Sequence, residues 1–548
     1  MSVVTATLLS QSTVIAENNY ELVSVDIRRE VNRIARATLV FLDGDATIGV
    51  FALSNKEDFQ PGKEIEVKLR YEGKTEDATV FKGLVMRHSV EANAQTSQLS
   101  LELKDAAVKL TQTRKSAVFV DQDDAEIIGK LLKDAELKVG VLDPTQPKHA
   151  QIVQYYCTDW DFMVSRAEAQ GLLVVTEDGE VSVRKVDLTA KPKRVFKYGI
   201  NDIYDLEFSL DGGEQCSEVN SSAWDVKQNK MTDPPTDAKN FDLKQGDLKG
   251  AEIAETVGFQ PHQLSHPAPL APEELQGWAD GQLMRSRLAM IRGRIEVPGF
   301  ADIKLFDTIE IAGIGKRFNG RTIVTGICHR VDLNGWRTDV QFGLSARSFA
   351  LEEGIQDVPA AGLLPGISGL HIAIVDTFEE DPEKQFRVKV IVPGVDEKTG
   401  SLWARLAAPD AGKNRGWFFR PETGDEVVVG FFNDDPRQPV ILGSLFSPKN
   451  TPPENASEIS QENTTKALVS KTGSMIGFID DEKGSIFIKT AAGARILIDD
   501  SAKTLEFLDQ NGNEFKMDDS GISIKTAKDL KLEATGNLEI KGAKVDMK

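Results

Sequence analysis

Cysteine is scarce, positive charge falls short of negative, and long apolar runs are missing. Cys157, Cys216 and Cys328 are the 3 cysteines in 548 residues, too far apart for a CxxC motif or a metal knuckle. So sparse and odd a set fits a reducing compartment, where thiols serve as small apolar residues. The 65 Lys and Arg against 85 Asp and Glu leave a formal net charge of -20. That balance argues against general binding of nucleic acid, which needs clustered basic residues. No apolar run reaches the ~18 residues that a membrane-spanning helix requires. The start, Met1-Ser-Val-Val-Thr-Ala, lacks the basic opening of a secretion signal. The expectation is a soluble chain made in the cytoplasm, neither disulfide-stapled nor membrane-embedded.

Signatures of catalysis are missing as well. Gly313-Ile-Gly-Lys-Arg317 is too short for a phosphate-binding loop. His262-Gln-Leu-Ser-His266 has the spacing of two metal ligands on a helix, but Pro261, Pro267 and Pro269 oppose a helix there. Asp434-Asp435 and Asp499-Asp500 read as solvated corner residues. Trp403 and Trp417 accompany too few basic residues for a base-stacking surface, so core packing is their expected role. No catalytic, cofactor-binding or metal-binding residue is assigned, and the chain is read as a non-enzyme.

What the sequence does contain is strands. Glu64–Tyr71, Leu99-Ser-Leu-Glu-Leu103 and Val181-Ser-Val-Arg184 alternate apolar and polar, the period of a half-buried strand. Asn334-Gly335 between two such runs is a hairpin signal. Helices are few. One is predicted over 122–135, with Ile127, Ile128, Leu131 and Leu132 on one stripe. A second starts at Thr158, whose Thr158-Asp-Trp-Asp161 has capping-box spacing, and stops at Gly171. A third starts near Pro272 and is expected to end at Gly293.

Composition loosens over 356–370 and again over 447–465, which reads as two linkers. The predicted organisation is a head over 1–360, with two β-barrel subdomains and helical insertions, and a small barrel over 366–450. A linker over 451–470 and a repetitive region over 471–548 complete it. The small barrel rests on five short strand candidates between His371 and Leu445, as in an OB-fold. The expected fold class is mainly β.

The final segment repeats an apolar-polar-apolar triplet eight times. The pairs are Ile486/Ile488, Ile496/Ile498, Leu505/Phe507, Phe515/Met517, Ile522/Ile524, Leu530/Leu532, Leu538/Ile540 and Val545/Met547. Their spacing drifts from about ten residues to seven or eight, with glycines at the bends. This is the pattern of a β-solenoid or β-prism. Each triplet has too few inward side chains to bury a face alone. Three intertwined chains, each giving one strand to every rung, would bury the pairs and build a needle of roughly 40 Å at ~4.8 Å per strand. Val545, Met547 and Lys548 follow with no capping segment, so a separate protein is expected to cover that end.

The order of these parts resembles VgrG, the spike family of type VI secretion systems, and the hub and spike proteins of phage tails and extracellular contractile particles. Tyr155-Tyr-Cys-Thr-Asp-Trp-Asp-Phe-Met-Val-Ser-Arg166 is similar to a head segment of that family. Phe386-Arg-Val-Lys-Val, Leu402-Trp-Ala-Arg-Leu-Ala-Ala-Pro409, Gly412–Pro421, Gly424–Phe432 and Asp434–Ser444 resemble its barrel. The resemblance implies a homotrimeric structural spike, assembled in the cytoplasm and delivered outside the cell. It implies as partners an inner tube protein, baseplate components, a PAAR-type tip protein and effector cargo, with the target membrane met only on injection. The segment 446–470 leaves no room for the lysozyme-like domain that some phage spikes carry. Nothing follows the needle, so a fused effector is not expected. The alternative reading is a β-solenoid tail fibre that binds or degrades polysaccharide, which calls for an aromatic-lined groove with paired carboxylates.

Overall fold

The computed structural model describes residues 4–16, 20–45, 47–93, 95–352, 354–396, 400–454 and 461–547. It divides into a unit ending at Asp357 and a second running from Val358. The chain is mainly β, as the alternation in its sequence requires.

In the first unit the long strand Gly320–Asp332 is the seam of a large sheet. It pairs with Glu21–Glu30 on one side and with Gly335–Phe342 and Thr308–Ala312 on the other. Two separate apolar cores result. One is built from strands between Leu8 and Leu103 and is closed by Trp336, and the other centres on Ile309, Ile323, Val324 and Val340. The hairpin after Asp332 has Leu333 and Asn334 at its tip, and Gly335 supplies the positive φ of 95°. Glycine adopts that conformation without the Cβ clash that other residues meet.

A third core lies under the first two predicted helices, one read from its apolar stripe and the other from its cap. Asp124–Asp134 is held by Asp123 in a capping box with Glu126, and Asp159–Ala169 by Thr158, which accepts from the Asp161 amide. The stop at Gly171 (φ 68°) follows. The third helix, Pro272–Met290, does not end at Gly293. It passes without a loop into the strand Ile291–Pro298, and Gly293 lies inside that strand. A Cβ there would come within 2.5 Å of the Glu207 carbonyl and closer still to the Phe208 ring, so this glycine serves sheet packing.

The motif at 155–166 has a structural role. Trp160, Phe162 and Met163 are buried, and Arg166 grips Asp124 through Nε and Nη2 at 2.7 and 3.0 Å. Asp124, 1% exposed, also accepts from Gln170 at 2.8 Å and has His149 Nε2 at 3.3 Å, while Arg166 reaches Glu274 at 2.9 Å. Burial alone would raise the Asp124 pKa. The Arg166 hydrogen bonds and charge outweigh it and hold the carboxyl below its usual range.

In the second unit, strands His371–Val375, Val388–Ile391, Ser401–Leu406, Pro439–Ser444 and Glu426–Phe431 close in that order into a five-stranded barrel. Every second residue points inward: Ala373, Val375, Val388, Val390, Ala404, Val427, Val429 and Ile441 form its core. Trp403 and Trp417 are not in that core. Trp403 sits on the outer wall under Arg387 and Lys389, 5.7 and 5.3 Å from its ring. Trp417 is exposed beside Phe419. The alternation explains this, because Ala404 takes the inward position and turns Trp403 out.

After the barrel comes a seven-stranded sheet: Thr465–Val469, Met475–Ile479, Ser485–Lys489, Arg495–Asp499, Thr504–Leu508, Glu514–Asp518 and Gly521–Lys525. Its first strand lies within the stretch read as linker. Each strand pairs antiparallel with the next strand of its own chain, not with a strand from another copy as the rung picture supposed. The ten-residue period explains the difference: five residues form the strand and about five make the return. Ser470–Ser474 is one such return, closed by the Ser474 carbonyl accepting from the Ser470 amide and by Gly473 at φ 87°. At about 4.8 Å per strand the ribbon is about 29 Å long. Among residues 526–547 no strand is described, so Leu530/Leu532, Leu538/Ile540 and Val545/Met547 have no partner strand within the chain.

Candidate assembly interface

The two faces of the ribbon differ: one is apolar along its length and the other mixes apolar and charged side chains. In every five-residue strand the second and fourth side chains share one side, and the pairing register aligns them into two columns. Phe478, Ile486, Ile498, Leu505, Met517 and Ile522 form one column. Ile476, Ile488, Ile496, Phe507, Phe515 and Ile524 form the other. Leu468 extends the second column. The triplets from Ile486 to Ile524 therefore all fall on one face. Ile476-Gly-Phe478 belongs with them although the sequence reading began the repeat later. Its apolar-small-apolar pattern is the signal that could have included it.

This apolar face has no second layer. Nine of its residues, Leu468, Ile476, Phe478, Ile486, Ile488, Ile498, Phe507, Ile522 and Ile524, are 42–66% exposed. A contiguous uncovered patch of that kind marks an interaction surface, because water must otherwise be ordered along its whole length. An open cavity of about 620 Å³ lies over it, lined by Ile488, Ile496, Phe507, Phe515 and Ile524, with Leu530 at its lip. The apolar pairs beyond Lys525 are exposed too, from Leu530 through Ile540 to Val545 and Met547. Lys548 lies outside the described residues.

The opposite face is mixed: Met475, Ile479, Phe487, Leu497 and Leu508 stand on it among paired charges. Arg495 forks onto Glu506 at 2.9 and 3.1 Å, and Lys516 pairs with Asp518 at 3.0 Å. Asp518 is held down to about 2, first by the Ser520 hydroxyl and then by Lys516. Phe487, between Gly477 and Leu497, is the aromatic residue described on this side. Phe478, Phe507 and Phe515 stand on the other. The cavity over the apolar face also carries Asp509, Glu514 and Asp529 at its rim, and of these Asp509 is taken up by the side-chain amides of Asn511 and Asn513.

The other candidates resolve into structural roles. His262 and His266 lie at the two ends of one strand, about 13 Å apart at ~3.3 Å per residue, too far to share an ion. Among the described residues no group of three or more metal-ligating side chains comes together. Asp435 pairs with Arg437 at 2.6 Å, Asp434 accepts from Ser368, and Asp499 accepts from the Ala502 amide. Gly313 and Gly315 occupy the turn before Gly320 with positive φ.

Comparison with known proteins follows the same division. A family model described as the Alg8 N-terminal domain matches residues 1–332, more than half of the chain. The chain belongs to that family. A second model, the type VI secretion system/phage-baseplate injector OB domain, matches residues 371–446 of this Alg8-domain chain. Two spike proteins of the type VI secretion system from Pseudomonas aeruginosa are related to it. VgrG1c is 23% identical over 496 residues, covering 85% of this chain and 65% of the relative. VgrG1b is 32% identical over 435 residues, covering 74% and 57%. The chain thus spans about three fifths of the length of these curated relatives. Among solved structures, the 43 kDa tail protein of prophage MuSo2 from Shewanella oneidensis aligns at TM-score 0.47 and 12% identity, covering 63% of this chain and 99% of that one. The E. coli c3393 protein, described as a component of the type VI secretion system, aligns at 0.40 and 13%, covering 80% and 99%.

Proposed function

We propose that this chain is the structural subunit of a homotrimeric central spike in a contractile injection machine. The observation that carries the reading is the uncovered apolar face of the ribbon. A ribbon only two inward side chains wide cannot enclose its own core. Three copies set around one axis, each turning its two columns inward, cover those columns on every side, whereas two leave both flanks wet. The unpaired triplets of 526–547 fit the same scheme, with other copies supplying the missing strands. The likeness to VgrG spikes along most of the chain supports the reading independently.

In this reading the mechanism is mechanical, not enzymatic. The first unit joins the spike to an inner tube and baseplate, the barrel links it to the needle, and the needle transmits thrust. Exposed Val545 and Met547, together with Lys548, form the seat of a tip protein of the PAAR type, and effectors travel as cargo. Assembly takes place in the cytoplasm and delivery outside the cell. Light scattering on the full chain tests this directly. A mass of three chains that falls to one when residues 466–548 are removed is expected. A full chain that stays monomeric at micromolar concentration would overturn it.

A further inference from the structure

Among the described residues three arginines of the first unit are nine-tenths buried or more, and one of them lacks a counter-charge. Arg29 pairs with Asp178 at 2.7 Å and Arg285 with Glu168 at 3.1 Å. Arg287, 7% exposed, has neutral acceptors instead: Gln215 Oε1 at 3.2 Å from Nη1 and the Ser217 carbonyl at 3.4 Å from Nη2. No carboxylate is within ion-pair distance of it among the described residues. A buried cation without an anion is costly. The start of the helix Gly250–Val257 adds charge of the same sign. Its N-cap, Lys249, makes no side-chain cap, so the positive end of the helix is unopposed. A Cβ at Gly250 would come within 2.8 Å of Arg287 Nη1, so the glycine lets the guanidinium lie against that first turn.

Both charges face one cavity. It measures about 460 Å³, and Ser217, Gly250 and Arg287 line it. Phe241, Leu243, Leu248, Leu283 and Met290 give it apolar walls. Glu218, Asp237 and Asp242 line it as well, exposed at its mouth and in no ion pair among the described residues. Lys244 and Lys249 stand beside them, the latter turned to Glu252 at 3.6 Å. The floor therefore selects one anionic group, the walls an apolar body, and the acidic mouth a cation further out. A phosphate-rich ligand meets the wrong charge at the entrance. We propose that this cavity receives the C-terminal carboxylate of a polypeptide whose last side chain is apolar and whose preceding residues include a lysine or arginine. Arginine and free backbone amides suit such a terminus, since both donate to a carboxylate. A free apolar amino acid offers the same groups, but its ammonium is on the carbon next to the carboxylate, too close to reach the mouth. The inference stands apart from the needle and its assembly.

Calorimetric titration of the full chain provides the test. The probes are acetyl-Lys-Ala-Leu as the free acid, the same peptide as its C-terminal amide, free leucine and inorganic phosphate. The free acid is expected to bind roughly ten-fold or more tighter than the amide, because the charge-assisted contact to arginine is lost with the charge. Asp242→Asn, at the mouth, should weaken both peptides alike, and Arg287→Met should erase the difference between them. Ala251→Glu keeps the Arg287 hydrogen bonds and tethers a carboxylate in the first turn of the helix. It should raise the melting temperature and block the free acid. Equal binding of acid and amide, no binding of either, or an Ala251→Glu variant that takes the free acid undiminished would overturn the proposal. Tighter binding of phosphate or of leucine than of the free acid would also overturn it, in favour of a small anion or an amino acid.

Discussion

Phe507 and Phe515 face each other across adjacent strands of the ribbon, ring centroids 5.9 Å apart and planes inclined at 74°. Edge-to-face pairs of this kind add about 0.5–1.5 kcal/mol beyond their buried area. The pair sits in the lower half of the apolar face, so covering that face buries both rings.

Replacing Phe507 by Ala is therefore expected to weaken association more than it disturbs the isolated chain. Loss of a large aromatic from a packed core costs about 3–5 kcal/mol. That amounts to a rise of roughly a hundred-fold or more in the concentration at which the assembly falls apart. Light scattering over a dilution series measures it, and an unchanged midpoint would remove this face from the interface.

Ile524 and Leu532 offer a contrast within one needle. Ile524 belongs to a formed strand, while Leu532 lies where the chain has no partner strand of its own. A serine at either position would place an unsatisfied hydroxyl among apolar neighbours in each copy, at about 1–3 kcal/mol per group. Both variants are expected to lower the melting temperature of the assembly. Only Leu532→Ser is expected to leave the far-ultraviolet spectrum of a dissociated chain untouched. Equal heat resistance of wild type and both variants would contradict the prediction.

His329 predicts a pH dependence in the first unit. Its Nδ1 lies 2.9 Å from the Thr338 hydroxyl, its ring packs edge-on to Trp336, and burial, aided by the Arg29 charge, pushes its pKa down to about 3. The unfolded chain takes up that proton near pH 6.5 and the folded chain resists it, so stability is complete above about 6.5 and declines as the pH falls towards 3. The slope from this group is at most about 1.4 kcal/mol per pH unit. Urea titrations followed by tryptophan fluorescence at pH 7.5, 5.5 and 4.5 should show the decline. His329→Gln should flatten it, and an identical slope in the variant would place the effect elsewhere.

Arg166→Leu should be among the most damaging single changes in the first unit. It leaves Asp124 charged and buried, with Gln170 and His149 as its remaining side-chain partners. Breaking a buried pair from one side costs about 3–5 kcal/mol, whereas replacing both partners by apolar groups is often close to neutral. Denaturant midpoints for Arg166→Leu, Asp124→Leu and the double variant form the test. A double variant no better than the worse single one would deny that the pair acts as a unit.

The legible parts of this molecule are those where one face is buried and the period is regular. The barrel strands, the stripe of Ile127, Ile128, Leu131 and Leu132 on the first helix, the cap at Thr158, and the alignment of Ile486 to Ile524 on a single face all follow from local patterns. Four features do not. Gly293 looked like a helix stop because its real constraint, the Glu207 carbonyl and Phe208, comes from a strand more than 80 residues away. Trp403 looked like core because hydrophobicity alone does not reveal which of two alternating faces is inside. The strand partners of the needle depend on whether a turn has room to reverse the chain, which the triplets alone do not state. Ile476 and Phe478 were missed because Gly477 between them breaks the polar-centre pattern, although it preserves the alternation.

The antiparallel course of the ribbon limits how the needle can change length. Strands alternate in direction, so removing one strand with its turn would bring the chain out at the opposite edge and misdirect everything downstream. Removing two restores the exit edge, and the second and fourth residue of every remaining strand keep facing the same way. Insertions and deletions in this region are thus confined to whole hairpins of roughly twenty residues, and the needle grows or shrinks in increments of about 9.6 Å.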